Sequence, residues 1–391
     1  MKADILILIH RNYFRNKTKK GGFDHAIECL KDSGMSVCLV ESELSHSKKS
    51  PSITLCHNNK ETIIKESKYI LLYIKYINRI FEIIWIILNT KKNITSNKCI
   101  ISVDPLNFIT GYLLKKILFN KSLLYFHAID YSEIRFKNTL INSIYHKCFN
   151  FALVQSDHVT CVSKKMLLKF NEIHRSDKYI YFPNSPEYEK CPKTETSLRE
   201  INSIALSTTL YYGLDYNKII QTVELLHKKF HGKIHVHVIG DGPYRPYFEK
   251  IVKNKKLESV FTFHGLRSQK ENLDIISRSK LGLCWLSGTA DFNTWGDSIK
   301  LREYAACGIP AISDRITSTA IESWENNCCL LVSTVSEAVS AITRYFEDEN
   351  FYNNSVNSSL KWAKCLDKKE FVYSSIIKKI QLVEFDHVVK L

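Results

Sequence analysis

Short apolar runs rich in Ile and Val alternate with helix-length segments along most of the chain, and this alternation is its strongest constraint on folding. The first run is "ADILILIH", and the series continues until the polar stretch "SPEYEKCPKTETSLRE" (185–200) interrupts it. A second series then starts at "INSIALS". Strands that alternate with helices form parallel sheets with helices on both faces. The pattern therefore predicts an α/β protein with two Rossmann-like parallel-sheet domains.

The length of the chain agrees with two domains. Its 391 residues exceed what one ordinary hydrophobic core supports. We place the first domain at 1–188 and the second at 189–366, with the boundary inside the polar stretch. Ligands of such sheets bind beyond the carboxyl ends of the strands, so the loops that follow the strands are where a site is expected.

The charge balance favours anionic partners. Lys and Arg number 55 against 40 Asp and Glu, which gives a formal net charge of +15. Phosphorylated ligands and an anionic membrane surface both suit this excess. Apart from a short run at 11–20, the basic residues are spread along the chain, and no nucleic-acid recognition motif accompanies them. We therefore predict no nucleic-acid partner.

Cysteine and histidine patterns argue against disulfides and metal sites. The twelve cysteines are scattered, with no CxxC pair, which favours reduced thiols in a cytoplasmic protein. His235 and His237 alternate along a predicted strand without a third ligand at metal spacing, so no metal is expected. The apolar segment 69–89 contains Lys75, Arg79 and Glu82. It predicts a helix packed in the first domain, with one face available to a membrane, rather than a transmembrane span.

The segment "DSIKLREYAACGIPAIS" (297–313) raises a question of function. Lys300 and Glu303 lie one turn apart, on one face of a predicted helix, close to its N-terminus. The pair could be an ordinary surface ion pair. It could also bind a ligand, because a helix N-terminus offers unpaired N–H groups and a positive dipole end to an anion.

Five motifs, in order, resemble the large retaining family of GT-B glycosyltransferases known as group one or family four. They are "DHVTCVSKKMLLKF", "YFPNS", "HVHVIGDGP", "FTFHG" and "SIKLREYAACGIPAIS". The likeness runs over nearly the whole length and is strongest from about 151 to 313. The resemblance implies the GT-B fold, in which the last helices, about 367–391, return to complete the first domain.

The resemblance also implies how the helix at 298–307 would bind a nucleotide sugar. Glu303 would accept both ribose hydroxyls through its two carboxylate oxygens. Lys300 would neutralise phosphate, and the N–H groups near Ser298 and Ile299 would offer further anion contacts. On this basis the Lys300–Glu303 pair is interpreted as a ligand clamp, and Glu303 is also counted among the catalytic residues.

Other residues are expected at the site from their positions in the family's motifs. Gly21 and Gly22 lie where a glycine-rich loop approaches the donor phosphate or the acceptor, and glycine permits close backbone approach. Gly240 and Gly242 of the "GDGP" loop are also placed at the donor site. His127 and Asp130, in "YFHAIDYSE", are the further catalytic candidates: His127 for contact with the transferred sugar, and Asp130 for orienting the sugar or the acceptor hydroxyl. A buried structural role for His127 remains open.

Two positions depart from the family pattern. Trp295 stands where many members have a first glutamate, and Asp291 or Asp297 could replace it. Thr208 and Thr209 stand where many members have an arginine for the diphosphate. They remain donor-site candidates because hydroxyls bind phosphate without neutralising it. Arg245, after the "GDGP" turn, could supply the missing positive charge, and Lys218 is an approximate stand-in for a family lysine.

The resemblance implies a transferase that moves a sugar from a UDP- or GDP-linked donor to a glycan or lipid-linked glycan, with retention and without a metal. Capsule, lipopolysaccharide or exopolysaccharide synthesis is the expected setting, and the inner face of the cell membrane the expected place. A nucleotide-sugar 2-epimerase and a non-catalytic binding relative are the alternatives. A nicotinamide oxidoreductase is disfavoured because no GxGxxG follows either first strand.

Overall fold

The computed structural model describes residues 1–10, 21–42, 51–57, 60–66, 75–288 and 291–382, so the basic run at 11–20 lies outside the described residues. The chain forms two compact units. Within the described residues, the first unit comprises 1–10, 23–182 and 369–382, and the second comprises 21–22 and 183–368. The divisions at 182/183 and 368/369 compare with 188/189 and 366/367 expected from the sequence.

An eight-stranded sheet forms the centre of the first unit, in the order β4-β3-β2-β1-β5-β6-β7-β8. Six of its strands are parallel to one another, as the alternation predicts. The strands are β1 (Lys2–Ile9), β2 (Val37–Glu41), β3 (Ser52–His57), β4 (Lys60–Glu66), β5 (Ser96–Val103), β6 (Leu123–Ala128), β7 (His158–Cys161) and β8 (Tyr179–Tyr181).

The hairpin at one edge of this sheet was not expected. Strands β3 and β4 pair antiparallel with each other, and β3 pairs antiparallel with β2. The sequence analysis identified no strand between β2 and the next helix, and β4, "KETIIKE", is largely polar and exposed. An edge strand that contributes little to the core lacks the continuous apolar run by which buried parallel strands are identified.

Helices cover the first sheet, and the hydrophobic core of the first unit lies between the sheet and these helices. The core contains alternate residues of β1 (Ile5, Ile7 and Ile9) together with residues of α1 and of the chain after 369. The Tyr125 hydroxyl donates to the Ser375 carbonyl at 2.8 Å, so the C-terminal segment packs within the first unit. The helices are α1 (Gly22–Asp32), α2 (Lys75–Asn93), α3 (Pro105–Ile117), α4 (Thr139–Gln155) and α5 (Lys164–Ile173).

The second unit has a six-stranded parallel sheet in the order β11-β10-β9-β12-β13-β14. The chain leaves β9 first toward one edge and later crosses to the other, so the strand order reverses at β9, where an open α/β sheet has its ligand crevice. The strands are β9 (Ser203–Ser207), β10 (His235–Ile239), β11 (Phe261–Gly265), β12 (Leu281–Cys284), β13 (Ala311–Ser313) and β14 (Cys329–Leu331).

Nine α-helices belong to the described part of this unit or follow it. They are α6 (Tyr216–Lys229), α7 (Arg245–Asn254), α8 (Gln269–Arg278), α9 (Asp291–Trp295), α10 (Ile299–Ala306), α11 (Ser318–Glu325), α12 (Val335–Glu347), α13 (Glu349–Cys365) and α14 (Lys368–Val372), with a π-helical turn at Tyr373–Ile377. The sequence did not predict α9 and α11, which are five and eight residues long. Segments this short show too few repeats of helical periodicity to be identified.

Two further expectations concern cysteines and membrane spans. All twelve cysteines lie in the described residues and are free thiols, eleven of them at least partly buried. Among the described residues, no helix has both the length and the apolar content needed to cross a membrane. The start of the apolar segment, 69–74, lies outside the described residues, and the rest of it is in α2.

Candidate functional site

The "GDGP" loop after β10 packs directly against the loop after β9. A Cβ added to Gly240 would lie 1.9 Å from the Thr208 carbonyl oxygen, and one added to Gly242 would lie 2.2 Å from the Leu210 carbonyl oxygen. Backbone hydrogen bonds of 2.9 and 3.1 Å join the two loops. The structure therefore brings Thr208, Thr209, Gly240 and Gly242 together at the carboxyl ends of neighbouring strands. The glycines are required there because the two backbones approach too closely for a side chain.

Helix α10 is held in place by hydrogen bonds at its start and near its centre. At its start, the Ser298 N–H donates to Thr319 Oγ1 at 2.9 Å, and Ile299 is the first helical residue. Near its centre, the Tyr304 hydroxyl accepts the Ser207 N–H at 2.9 Å, at the last residue of β9. Helix α10 thus packs beside the carboxyl end of β9, the strand at which the strand order reverses.

Lys300 and Glu303 lie on this anchored helix, and they do not form an ion pair with each other. The Glu303 side chain is buried, and its Oε1 accepts a 2.7 Å hydrogen bond from Gln269 Nε2. Burial raises the pKa of Glu303, and the Gln269 amide and the positive charge of Lys300 oppose that rise. Lys300 is half-buried. A buried carboxylate that a nearby lysine influences without neutralising is typical of a ligand site.

Gln269 was missed by the sequence analysis. It is the first residue of α8, which begins with a capping box between Ser268 and Glu271. That box is a local sequence signal for a helix start at the carboxyl end of β11. The signal places Gln269 near the site, but the contact with Glu303 spans 34 positions of sequence and only the fold shows it.

Arg245 does not stand free as the diphosphate cation that the sequence analysis expected. Its Nε donates to Glu249 at 2.7 Å and its guanidinium also pairs with Asp241 at 3.2 Å. The hydrogen bond to Glu249, with the charge of Asp241, raises the pKa of Arg245. Both partners are other residues of the same loop and helix, at i+4 and i−4. In this structure, the positive charge of Arg245 is directed to these two carboxylates.

Lys218 is also engaged. Its Nζ donates to the Ser333 carbonyl at 3.2 Å and lies 3.5 Å from the Asp215 carboxylate. Of the cations that we considered for the diphosphate, Lys300 is therefore the one without an ion pair in the described residues.

Asp297 does not replace the missing first glutamate. Its side chain is fully buried, and it pairs with Arg302 and accepts a hydrogen bond from the Thr319 hydroxyl. It also accepts the Asn184 N–H at 2.6 Å. With all its neighbours provided by the protein, Asp297 holds the loop before α10 in place. Trp295 is the last residue of α9, and the side chain of Asp291 lies outside the described residues.

The catalytic candidates of the first unit differ in exposure. His127 is the penultimate residue of β6 and is fully buried. Its ring stacks on Phe23, with ring centroids 4.3 Å apart, and lies edge-on to Phe182 at 5.6 Å. Its Nδ1 lies 2.8 Å from Thr160 Oγ1. This packing corresponds to the structural alternative left open in the sequence analysis. Asp130 is partly exposed and pairs with Arg135 at 2.8 Å.

Gly21 and Gly22 directly precede and begin α1, after the segment 11–20 that lies outside the described residues. Their expected approach to the donor phosphate or the acceptor stays a prediction. His127 and Asp130 belong to the first unit, and α10 belongs to the second.

The histidines of the second unit form a hydrogen-bonded group. His237 Nε2 lies 2.7 Å from Glu200, and its Nδ1 lies 3.0 Å from His264 Nε2. Within the described part of the chain, no group of three or more His, Cys, Asp or Glu side chains is placed to hold a metal ion.

Comparisons with known proteins agree with this geometry. Residues 204–362 match the family described as glycosyl transferases group 1, which covers the second unit from β9 to α13. No curated protein sequence shows significant similarity to this chain.

Solved structures are similar over nearly the whole chain. HepE from Anabaena, in complex with UDP, superposes with a TM-score of 0.68 at 12% identity, covering 97% of this chain and 99% of that one. Sucrose-phosphate synthase from Thermosynechococcus elongatus gives 0.68 at 13% identity, covering 98% and 100%. WaaG, a glycosyltransferase of lipopolysaccharide biosynthesis, gives 0.64 at 10% identity, covering 97% and 99%.

These likenesses define the class of the protein. The fold is GT-B, with two Rossmann-like parallel-sheet units. The segment that matches the group 1 family contains the loops of Thr208 and Gly240 and the helix of Glu303. The chain is a glycosyltransferase, as the sequence predicted.

Proposed function

We propose that the chain transfers a sugar from a UDP- or GDP-linked donor to a hydroxyl of a glycan or a lipid-linked glycan. The observation that carries this proposal is the buried carboxylate of Glu303, 2.7 Å from the Gln269 amide and close to the uncommitted charge of Lys300. A carboxylate with two acceptor oxygens suits the two hydroxyls of a ribose. A lysine at the N-terminus of a helix suits the phosphates that are attached to this ribose.

Transfer of the sugar releases a nucleoside diphosphate, whose negative charge must be stabilised as the bond breaks. Lys300 and the Ile299 N–H at the start of α10 are the proposed source of that stabilisation; the Ser298 N–H, which the sequence analysis also expected to contact the anion, is donated to Thr319 Oγ1 instead. Thr208 and Thr209, beside the glycine loop, would add hydroxyl and N–H donors. The family likeness supports retention at the anomeric carbon and a reaction that proceeds without a metal.

Two of the similar solved structures support a choice of donor and of pathway. The structures of HepE contain UDP, UDP with glucose, or UDP-glucose, which supports a UDP-linked donor here. WaaG acts in lipopolysaccharide biosynthesis, which supports a role in surface polysaccharide assembly. We accordingly place the protein in the cytoplasm, at the inner face of the cell membrane, where lipid-linked acceptors are found.

A surface of the first unit supports contact with that membrane. Ile80, Ile84 and Leu88 are 60%, 48% and 61% exposed and follow one another at i, i+4 and i+8 along α2. They form an apolar stripe on the solvent side of the helix. Lys91 and Lys92 are exposed at the end of the same helix. Apolar side chains next to lysines favour an anionic membrane surface.

Calorimetric titration with UDP, GDP, ADP and CMP tests the donor site. The wild type is expected to bind one diphosphate nucleotide selectively, and Glu303→Gln is expected to weaken that binding at least about tenfold, the loss typical of a charged hydrogen-bond acceptor. Glu325→Gln is the matched control because Glu325 is an exposed carboxylate of the same unit. Equal binding by the wild type and Glu303→Gln would refute the clamp, and the absence of binding by all four nucleotides would refute the donor site.

A further inference from the structure

Two helices of the second unit, α8 and α10, share one anchor at the carboxyl end of β9. The Ser207 N–H donates to the Tyr304 hydroxyl of α10 at 2.9 Å, and the Ser207 hydroxyl donates to Asn272 Oδ1 of α8 at 2.9 Å. At the end of α10, the Cys307 thiol lies 3.8 Å from the Leu273 carbonyl of α8. These contacts hold the two helices in a fixed relation within this unit.

Gln269 reaches Glu303 across this junction. It is half-buried and is the first residue of α8, where the capping box of Ser268 and Glu271 fixes the start of the helix. Gln269 Nε2 lies 2.7 Å from Glu303 Oε1, and among the described residues this is the one side-chain hydrogen bond that either residue makes. Glu303 Oε2 and the rest of the Gln269 amide therefore have no protein partner in this part of the chain.

The charge of Glu303 sets the direction of this hydrogen bond. An ionised carboxylate has no proton to donate, so the Gln269 amide must present its N–H group to it. Burial raises the pKa of Glu303, and the Gln269 amide opposes that rise more than the positive charge of Lys300 does. A hydrogen bond of this kind favours the charged form of an acid. Gln269 therefore helps to keep a buried carboxylate ionised and also fixes its orientation.

The other titratable groups that face Glu303 do not change charge with it. Tyr304 and Cys307 both interact with the charge of Glu303, and burial raises the pKa of each well above its usual value. From α8, the group that faces the carboxylate is the neutral amide of Gln269. The charged groups at the other contacts of α10 pair with one another: Arg302, Asp297 and Glu322. In the described residues, Glu303 is therefore the group beside Gln269 that is expected to titrate at acidic pH.

A carboxylate held in one orientation can distinguish a ribose from a deoxyribose. The two neighbouring hydroxyls of a ribose both donate to carboxylate oxygens. A site whose polar groups are oriented in advance rejects an analogue that lacks a hydroxyl, because one polar group is then left unpaired. A carboxylate that turns freely loses part of this discrimination, since it must be ordered when the ligand binds.

We propose that Gln269 is the positioning residue that makes this site specific for ribonucleoside diphosphates over their 2′-deoxy analogues. Its amide holds Glu303 in the orientation that receives the ribose hydroxyls. The assignment rests on the proposed function because it takes Glu303 as the ribose ligand. It adds a determinant of specificity that lies outside the motif at 297–313.

Two substitutions of Gln269 are expected to have opposite dependences on pH. Gln269→Met keeps an unbranched side chain of similar length but donates no hydrogen bond, so Glu303 loses an influence that lowers its pKa. Glu303 is then protonated over a wider range of acidic pH, and nucleotide binding weakens there. In Gln269→Glu, the new carboxyl can donate to Glu303 while it is protonated, but the two carboxylates repel each other once both are ionised. Nucleotide binding by this variant weakens as pH rises.

Calorimetric titration at about pH 5.5 and about pH 8, with whichever of UDP and GDP the wild type binds, measures both effects. At the lower pH, Gln269→Met is expected to bind at least about tenfold more weakly than the wild type, with a smaller deficit at the higher pH. Gln269→Glu is expected to show its larger deficit, also at least about tenfold, at the higher pH. The ratio to the wild type at each pH cancels the titration of the nucleotide phosphates.

The matched controls are Gln221→Met and Gln221→Glu, since Gln221 is an exposed glutamine of α6 in the same unit. Both are expected to bind the nucleotide as the wild type does at both pH values. Titration with the 2′-deoxy form of the same nucleotide then measures specificity. At about pH 8, the wild type is expected to prefer the ribonucleotide at least about tenfold, and Gln269→Met is expected to lose most of this preference.

Carbon NMR of the nucleotide-free chain provides a readout that does not depend on binding. The ¹³C shift of the Glu303 carboxyl is expected to show that it stays protonated to a higher pH in Gln269→Met than in the wild type. An unchanged titration would overturn the assignment, as would wild-type nucleotide binding by both Gln269 variants or an undiminished preference for the ribonucleotide in Gln269→Met. If the wild type binds neither UDP nor GDP, the proposed donor site fails for these nucleotides, and the carboxyl titration decides separately whether Gln269 controls Glu303.

Discussion

At the scale of single residues, two buried carboxylates beside the N-terminus of α10 have opposite roles. Asp297 is fully enclosed by Arg302, the Thr319 hydroxyl and the Asn184 N–H. Glu303 receives one direct hydrogen bond, from the Gln269 amide, in the described residues. Burial of a carboxylate without full compensation is unfavourable, so the protein keeps Glu303 at a cost in stability. Such a cost is expected where a ligand completes the site.

The pH dependence of stability tests this view of Glu303. Burial raises its folded-state pKa above the unfolded-state value. The ionised carboxylate therefore destabilises the fold. This loss of stability is absent below the unfolded-state pKa, grows as pH rises from the unfolded-state pKa to the folded-state pKa, and is constant at higher pH. We expect Glu303→Gln to raise the free energy of unfolding by about 1 kcal/mol at about pH 7.5 and to have no such effect at about pH 4. Urea denaturation at both pH values measures the difference. A variant that is less stable at neutral pH would contradict the prediction.

Substitution of Asp297 is expected to change stability in the opposite direction, that is, to lower it. Asp297→Asn leaves the buried Arg302 guanidinium without its closest partner, and breaking a buried pair in this way typically costs about 3–5 kcal/mol. Thermal unfolding of the variant should show a large loss of stability. If Asp297→Asn instead kept its stability and lost only nucleotide binding, Asp297 would be a ligand of the donor after all.

At the scale of elements, the loops after β9 and β10 act as one piece because their backbones touch. Gly240→Ala would place a Cβ 1.9 Å from the Thr208 carbonyl oxygen at a residue with φ +129°. We expect a loss of about 2–4 kcal/mol in stability and weaker nucleotide binding, since Thr208 must move.

The matched control is Gly232→Ala. Gly232 also has a positive φ, +84°, but the nearest atom to an added Cβ is the His227 ring at 3.6 Å. It should cost only the backbone strain of about 1–2 kcal/mol and leave nucleotide binding intact. Equal losses in the two variants would show that the close approach of the loops is unimportant.

Elements also show which parts of the fold were predictable. The buried strands and long helices followed from apolar runs and helical periodicity, and the motif at 297–313 identified α10 and Glu303. The edge hairpin β3–β4 was missed because its outer strand is polar.

The partners of Arg245 were missed because a sequence motif gives its position but does not show that Asp241 and Glu249 pair with it. The contact of Gln269 with Glu303 joins residues 34 positions apart. It becomes visible only when the packing of α8 beside α10 is known.

At the scale of the whole molecule, hydrogen bonds within the second unit join the chain just after 182/183 to the chain just before 368/369. The Lys368 ammonium donates to the Pro183 carbonyl, and the Tyr188 N–H donates to Asp367 at 2.7 Å. Both contacts join residues next to the divisions at 182/183 and 368/369. The C-terminal segment then adds Ile376 and Ile380 to the core of the first unit.

The apolar stripe of α2 predicts how the whole molecule meets a membrane. We expect the protein to sediment with vesicles that contain phosphatidylglycerol, less strongly at about 0.5 M salt because the lysine charges are screened. Ile84→Glu should reduce the bound fraction at least about tenfold by placing a negative charge in the stripe. Leu225→Glu is the control, since Leu225 is a similarly exposed residue of the second unit, at 46%. An equal loss of vesicle binding in both variants would show that the apolar stripe of α2 is not the membrane contact.

The most direct test of the central claim is a proton NMR time course of nucleotide-sugar consumption. The wild type is incubated with UDP-glucose, UDP-N-acetylglucosamine and GDP-mannose in turn, and the anomeric signals of donor and product are followed. We expect one donor to be consumed, the first product to keep the donor's anomeric configuration, and Glu303→Gln to be slower by at least about 100-fold. Consumption at equal rates by both proteins would contradict the role of Glu303, and a failure to consume any of the three donors would contradict the proposed transfer from them.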